Sequence, residues 1–261
     1  MRWMVCMFLS ALFSFAAHSS FAAPASTKTV IYKQNDQEFE GFVVYPKTLK
    51  GKAPGVLLVA NWLGNSDETR FQAQRIADLG YIVFAADIYG KGIRPKGPEE
   101  AGALAGKYKG DRKLFRERLN LGLERLKAFP EVDSKRLLAA GYCFGGTGVL
   151  ELARSGADLK GVVSFHGGLD SPTPADGQHI KAKVLVLHGA DDPLIKAEDR
   201  KAFEDEMRQG GVDWQLYSFG GAVHSFTDKS AGSDKSKGVA YNAEADARSF
   251  AAFQNFAKEV L

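Results

Sequence analysis

The sequence predicts one α/β domain, built on a mostly parallel, doubly wound sheet with an N-terminal antiparallel hairpin. From Pro54 onward, short and nearly continuous apolar runs alternate with amphipathic stretches, a pattern typical of parallel strands covered on both faces. Upstream, Thr29–Lys33 and Glu38–Tyr45 are rich in Val, Ile, Tyr and Phe and are separated by a polar turn, which predicts the hairpin. The alternation continues to the C terminus, so we expect residues 23–261 to form a single domain.

The order of the elements follows from this alternation. The predicted parallel strands are Gly55–Ala60, Tyr81–Ala86, Leu137–Gly141, Gly161–Phe165, Val184–His188 and Trp214–Phe219. The predicted helices are Glu68–Leu79, Arg112–Ala128, Gly146–Ser155, Ala197–Gln209 and Ala240–Val260. Two stretches, Asp87–Lys107 and Asp228–Gly238, break the alternation after strand ends, where open α/β sheets place their ligands. Surface loops without a function have the same composition, so both interpretations stay open for them.

Composition and charge favour an ordinary globular protein. Of the 261 residues, 45% are hydrophobic and 25% are charged, as in soluble domains. The net charge of +3 is small for this length and gives no reason to expect nucleic acid or an anionic membrane as a partner. We expect a monomer that acts on a small molecule.

The N terminus has the features of a secretory signal peptide. Arg2 precedes an apolar run from Trp3 to Ala17, and Ser20 and Ala22 are small residues that suit a cleavage site. The alternative is an uncleaved anchor, but the run is shorter than the roughly 20 residues of a spanning helix. We therefore expect cleavage after residues 1–22, no stable membrane anchor afterwards, and a periplasmic or secreted protein.

Cleavage would leave Cys143 as the single cysteine, within the motif Gly141-Tyr142-Cys143-Phe144-Gly145. This is a glycine-flanked nucleophile between a strand and a helix, where a sharp turn exposes the reactive side chain. The first turn of the helix favours a thiolate, and the backbone N–H of Phe144 can point at a developing oxyanion. The alternative is a buried, inert cysteine in a glycine-rich turn.

Two further residues fit the chemistry of a nucleophilic cysteine. Asp192 follows the strand that ends at His188, and His224 follows the next strand, so the chain order is nucleophile, acid, histidine. At the strand ends these side chains could meet, with His224 as the base and Asp192 orienting its ring. No cluster has the spacing of metal ligands, and no phosphate-binding loop follows the first strand, so we expect neither metal nor cofactor.

The segments GYCFGG, SFHGG, LHGADDP and GAVHSF, in this order, resemble the dienelactone hydrolase family over most of the chain after Thr29. The resemblance implies an α/β-hydrolase fold and a catalytic triad of Cys143, Asp192 and His224. It also implies an oxyanion hole in which Trp62 supplies a second backbone N–H beside that of Phe144.

Three positions depart from the family pattern. Asn61 stands where members that cleave dienelactone carry a Glu that helps to ionise the thiol. Lys91 stands at the position of an Arg that holds the lactone's carboxylate, and Asp228 at the position of a second Arg. Since Lys91 and Asp228 sum to zero charge, the resemblance predicts a preference for neutral over carboxylated esters.

The sequence therefore predicts an exported hydrolase that cleaves a carboxylic ester or lactone through a thioester acyl-enzyme on Cys143. One alternative is a hydrolase-fold protein that binds a small ligand and turns over poorly, which Asn61 favours. The other is a thioesterase or acyltransferase that uses the same triad.

Overall fold

The computed structural model describes residues 26–261, so the predicted signal peptide over residues 1–22 lies outside the described residues. Eight strands form one sheet in the order β1-β2-β4-β3-β5-β6-β7-β8. The strands are β1 (Thr27–Gln34), β2 (Gln37–Val44), β3 (Ala53–Val59), β4 (Ile82–Ala86), β5 (Val132–Tyr142), β6 (Gly161–Phe165), β7 (Lys183–Gly189) and β8 (Trp214–Phe219). Strand β1 pairs antiparallel with β2, and β2 pairs antiparallel with β4, whereas the remaining pairs are parallel. The predicted hairpin and mostly parallel sheet are confirmed.

Helices cover both faces of the sheet. They are α1 (Asp67–Ala77), α2 (Pro98–Gly110), α3 (Arg112–Lys127), α4 (Phe144–Arg154), α5 (Ala197–Gln209) and α6 (Ala243–Val260). Within β3, Leu57 and Val59 pack into the core that contains residues of α2 to α5, and Val56 and Leu58 pack into the core that contains residues of α1 and α6. Because successive side chains of a strand point to opposite faces, burial on both faces explains the unbroken apolar run.

Helix α2 begins within the stretch Asp87–Lys107 that the sequence predicted to be irregular, and it ends just beyond it at Gly110. Its start has recognisable signals, because Gly97 precedes it and Pro98 occupies its first turn. Its buried residues are Ala101, Ala105 and Tyr108, a sparse apolar stripe that the many Gly and Lys residues obscure. The helix brings the end of this stretch over the carboxyl edge of the sheet.

Two other bounds differ from the sequence prediction for local reasons. Strand β5 begins at Val132, five residues before the predicted start at Leu137, because its pairing with β3 continues past a register irregularity between Pro54 and Gly55. Helix α6 begins at Ala243, where the side chain of Asn242 accepts a hydrogen bond from the N–H of Ala245. Within residues 26–261, no helix is both long and apolar enough to cross a bilayer.

Candidate active site

Cys143 occupies a sharp turn between β5 and α4. Its backbone has φ 54° and ψ −114°, a conformation that L-residues rarely adopt and that is held by its surroundings. The backbone around the turn leaves no room for a side chain at either flanking glycine. A Cβ atom on Gly141 would lie 2.0 Å from the carbonyl oxygen of Gly145, and a Cβ atom on Gly145 would lie 2.1 Å from the carbonyl oxygen of Val59. The predicted elbow therefore forms, and it leaves the Cys143 side chain partly exposed.

The structure brings the three predicted catalytic side chains together. His224 Nε2 lies 3.0 Å from Cys143 Sγ, and His224 Nδ1 lies 2.7 Å from Asp192 Oδ2. The second oxygen of Asp192 accepts a hydrogen bond of 2.9 Å from the backbone N–H of Leu194, which fixes the carboxylate. Both His224 and Asp192 are buried, so the ring has one defined orientation between acid and thiol.

The loop that carries His224 is held by the polar segment that follows it. The N–H of His224 donates to the carbonyl of Gly238 at 3.1 Å, and the N–H of Ala240 donates to the carbonyl of His224 at 3.1 Å. These bonds form an isolated parallel bridge between His224 and Val239. For the stretch Asp228–Gly238, the sequence was compatible with either a ligand site or a plain surface loop. Its last residue, Gly238, accepts the hydrogen bond from the His224 N–H, so the end of this stretch helps to hold the histidine.

The charge state of His224 is set by competing effects. Burial lowers the pKa of the imidazole, but hydrogen bonds and charge interactions with Asp192 and Cys143 outweigh it and raise the pKa to about 10. The ring therefore carries a proton at neutral pH, and the resulting cation 3.0 Å from Sγ stabilises a thiolate on Cys143.

The two residues of the predicted oxyanion hole lie at the cavity that contains the thiol. Trp62 and Phe144 line the same cavity as Cys143, and Phe144 is the first residue of α4, where helical N–H groups lack intrahelical acceptors. Within residues 26–261, neither the Trp62 nor the Phe144 N–H donates to another atom. The Trp62 loop is fixed by the hydroxyl of Tyr89, which donates to the Trp62 carbonyl at 2.9 Å.

The cavity at Cys143 has a volume of about 160 Å³ and is partly apolar. Besides the residues already named, its apolar lining comes from Ala105, Leu169, Leu194 and Ile195. Its polar lining comes from Lys109, Thr147, Asp170 and Asp199. Sequence reasoning did not find these residues. Lys109 lies just past the Gly- and Lys-rich stretch that was singled out, which was the one available signal.

The three predicted substrate-binding residues lie outside this cavity. Lys91 Nζ donates to Glu38 Oε2 at 2.8 Å, and the Asp228 carboxylate accepts hydrogen bonds from the N–H and hydroxyl of Ser230. Asn61 accepts a hydrogen bond of 2.9 Å from the N–H of Leu63. Asn61 and Asp228 instead line a separate space of about 10 Å³. Apart from the catalytic residues, the charged residues that do line the cavity are Lys109, Asp170 and Asp199.

Within residues 26–261, no group of three or more His, Cys, Asp or Glu side chains could hold a metal ion. His166 is buried beside His224, and its Nε2 lies 2.8 Å from Thr227 Oγ1. Burial lowers the pKa of His166 well below its usual value, so this ring is neutral and packs behind the site.

Comparisons with known proteins agree with this geometry. The model of the dienelactone hydrolase family matches residues 39–261. The chain is 40% identical to the protein of a solved structure named m3DLH, with 92% of this chain and 100% of that chain covered and a TM-score of 0.87. It is also 40% identical to the "Dienelactone Hydrolase-like Promiscuous Phospotriesterase P91" from metagenomic libraries, with 91% and 99% covered and a TM-score of 0.86. A "Putative carboxymethylenebutenolidase" of Synechocystis sp. is 27% identical over 242 residues, which are 85% of this chain and 92% of that protein.

Proposed function

The chain belongs to the dienelactone hydrolase family and is a hydrolase of that kind, and we propose that it cleaves a carboxylic ester or lactone with Cys143 as nucleophile. One observation carries the proposal: Asp192, His224 and Cys143 form a continuous chain of contacts of 2.7 and 3.0 Å that ends at the sulfur atom. An imidazolium in this chain of contacts stabilises the thiolate that would attack an ester, and the backbone N–H groups of Trp62 and Phe144 are the proposed donors to the oxyanion.

The proposed reaction has two halves. The Cys143 thiolate attacks the carbonyl carbon, and the N–H groups of Trp62 and Phe144 stabilise the oxyanion. The tetrahedral species collapses to a thioester, and His224 gives its proton to the leaving alkoxide. His224 then removes a proton from water, the hydroxide attacks the thioester, and the carboxylic acid leaves as the thiolate reforms. Ester and water are consumed, and acid and alcohol are produced.

The proposal is tested with 4-nitrophenyl acetate and the protein lacking residues 1–22. We expect release of 4-nitrophenol by the wild type and none above background by Cys143→Ala, which keeps the elbow but has no sulfur. Asp191→Asn is the matched control, because Asp191 is exposed and adjacent to Asp192. A fully active Cys143→Ala protein would overturn the assignment. Wild type without turnover favours the ligand-binding alternative, and faster turnover of thioesters, or acyl transfer to added alcohols, favours the thioesterase or acyltransferase alternative.

Phosphotriesters are a second candidate substrate class, because one of the 40% identical relatives is named a promiscuous phosphotriesterase and is matched over nearly its whole length. Attack of the thiolate on phosphorus would expel an aryl oxide, which takes a proton from His224, and water would then release the dialkyl phosphate. A diethyl 4-nitrophenyl phosphotriester tests this. We expect turnover that Cys143→Ala abolishes, and no release of 4-nitrophenol would remove this candidate while leaving ester cleavage standing.

Export is part of the proposed function. The apolar run and the small residues before Ala23 support cleavage of residues 1–22. The intact mass of the exported protein should be lower than that of the full chain by about 2 kDa, as expected for a signal of this length. Recovery of the full chain from the soluble exported fraction would contradict the proposal.

A further inference from the structure

Lys109 brings a positive charge into the cavity at Cys143. It lies in the last turn of α2, the helix whose Ala105 also lines the cavity. Its Nζ atom lies 3.7 Å from the position that a Cβ atom on Gly168 would occupy, and Gly168 is itself part of the lining. The same position lies 3.0 Å from Asp170 Oδ1 and 3.0 Å from Thr147 Oγ1, so a carboxylate, a hydroxyl and the ammonium group surround the space left by the missing side chain.

Among residues 26–261, the ammonium group of Lys109 has no ion-pair partner within 4.0 Å, although Asp170 Oδ1 faces the same Gly168 position. Asp170, which also lines the cavity, pairs with Arg112 at 2.5 Å. Asp199 forms no ion pair with residues 26–261 and is not paired with Lys109. Apart from the catalytic residues and from Asp170, which is paired with Arg112, the charged lining residues are the Lys109 cation and the Asp199 carboxylate, and neither has an ion-pair partner within residues 26–261. These two charges of opposite sign favour one orientation of a charged substrate.

Lys109 and Lys107 both lie in the last turn of α2, where the helix dipole favours cations. The ammonium group of Lys107 lies 5.7 Å from the centroid of the Tyr108 ring, and Lys107 is not part of the cavity lining. The two lysines differ in what they face, so Lys107 is a matched control for Lys109.

We propose that Lys109 is a specificity-determining residue that binds an anionic group of the substrate at the Gly168 corner of the cavity. The inference rests on the proposed function, because it assumes that the substrate is an ester or lactone. Its first test measures alkylation of Cys143 and does not depend on ester cleavage. The inference predicts the opposite of the preference for neutral esters that Lys91 and Asp228 imply, and the ester pairs below distinguish the two predictions. An anionic group of the substrate would be repelled if it lay beside Asp199 instead of Lys109. The two charges therefore select one orientation of the substrate.

The first test needs no turnover and compares alkylation of Cys143 by iodoacetate and iodoacetamide, which differ mainly in charge. Lys109→Met should lower the ratio of the iodoacetate rate to the iodoacetamide rate by about three- to tenfold, the range for a partly screened charge contact. Lys109→Arg should restore the ratio, and Lys107→Met should keep the wild-type ratio. An unchanged ratio in Lys109→Met, or an equal fall in Lys107→Met, overturns the proposal.

The second test uses ester pairs that carry a carboxylate on either side of the scissile bond. The pairs are 3-carboxy-4-nitrophenyl acetate with its 3-carbamoyl analogue, and mono-4-nitrophenyl adipate with 4-nitrophenyl hexanoate. In at least one pair, the ratio of kcat/KM for the charged to the neutral ester should fall in Lys109→Met and rise in Asp199→Asn. Ratios that stay constant in both pairs contradict a role of Lys109 in specificity, while loss of all turnover in Cys143→Ala would still support the proposed function.

Discussion

The Nε2 atom of His224 lies 3.0 Å from the Sγ atom of Cys143, although the two residues are 81 positions apart in the chain. Cys143 follows β5 and His224 follows β8, with β6 and β7 between those strands in the sheet. The contact is possible because all these parallel strands end at one edge, and the loops beyond them can reach across it. Asp192, after β7, completes the contact from the same edge.

Asp192 should set the protonation of His224. In Asp192→Asn, the pKa of the ring should fall from about 10, because the amide removes the charge and the hydrogen bond that hold the proton on Nδ1. We expect kcat to fall by roughly 10²- to 10⁴-fold, the range for loss of the orienting acid in such triads. NMR titration of the His224 ring measures the pKa. An unchanged titration curve would mean that Asp192 does not control the ring, and Asp191→Asn should leave both measurements as in the wild type.

The elbow should tolerate no side chain at its first glycine. Gly141→Ala would place Cβ 2.0 Å from the Gly145 carbonyl oxygen, so we expect a loss of stability of several kcal/mol or failure to fold. Gly106→Ala is the contrasting change, because a Cβ there meets no atom within 4 Å and the site lies within α2. Its free energy of unfolding should rise by up to about 1 kcal/mol. Urea unfolding measures both, and equal effects of the two changes would contradict the steric account.

Stability should fall at alkaline pH because of His224. Its folded pKa is raised to about 10 from the usual 6.5, so the folded state holds the proton more tightly than the unfolded chain. The resulting stabilisation is fully present below pH 6.5 and is lost as the pH rises through about 10. Between those values the free energy of unfolding of the wild type should fall more steeply than that of His224→Gln. Parallel curves for the two proteins would rule out the raised pKa.

The exposed side chain of Leu194 should favour apolar substrates. It is 59% exposed and forms part of the cavity lining together with Ile195, so an alkyl group of a bound ester can cover it. We expect kcat/KM to rise with acyl length at up to about 0.8 kcal/mol per methylene that is buried, and to rise less steeply in Leu194→Ser. Ile31→Ser serves as control, because Ile31 is exposed on β1, outside the cavity lining. Equal slopes in wild type and Leu194→Ser would place the acyl group elsewhere.

The sheet and the residues Cys143, Asp192 and His224 could be predicted from the sequence, because strand periodicity and short motifs after strand ends are local signals. Sequence reasoning did not reach Lys109, because the approach of α2 to Gly168 joins residues that no motif connects. The placement of Lys91 and Asp228 at the substrate was implied by the resemblance to the family, from their matching positions in two loops. Position in a loop does not give side-chain direction, which here depends on Glu38 and on Ser230.

The most direct test of the account is to find the acyl group on the enzyme. The protein lacking residues 1–22 is mixed with excess 4-nitrophenyl acetate, quenched in acid within the first turnover, digested and analysed by mass spectrometry. The account predicts that one acetyl group is attached to the peptide that contains Cys143, and that the adduct disappears as free acetate forms. Release of 4-nitrophenol without any adduct on that peptide, or with the acetyl group on another residue, would contradict it.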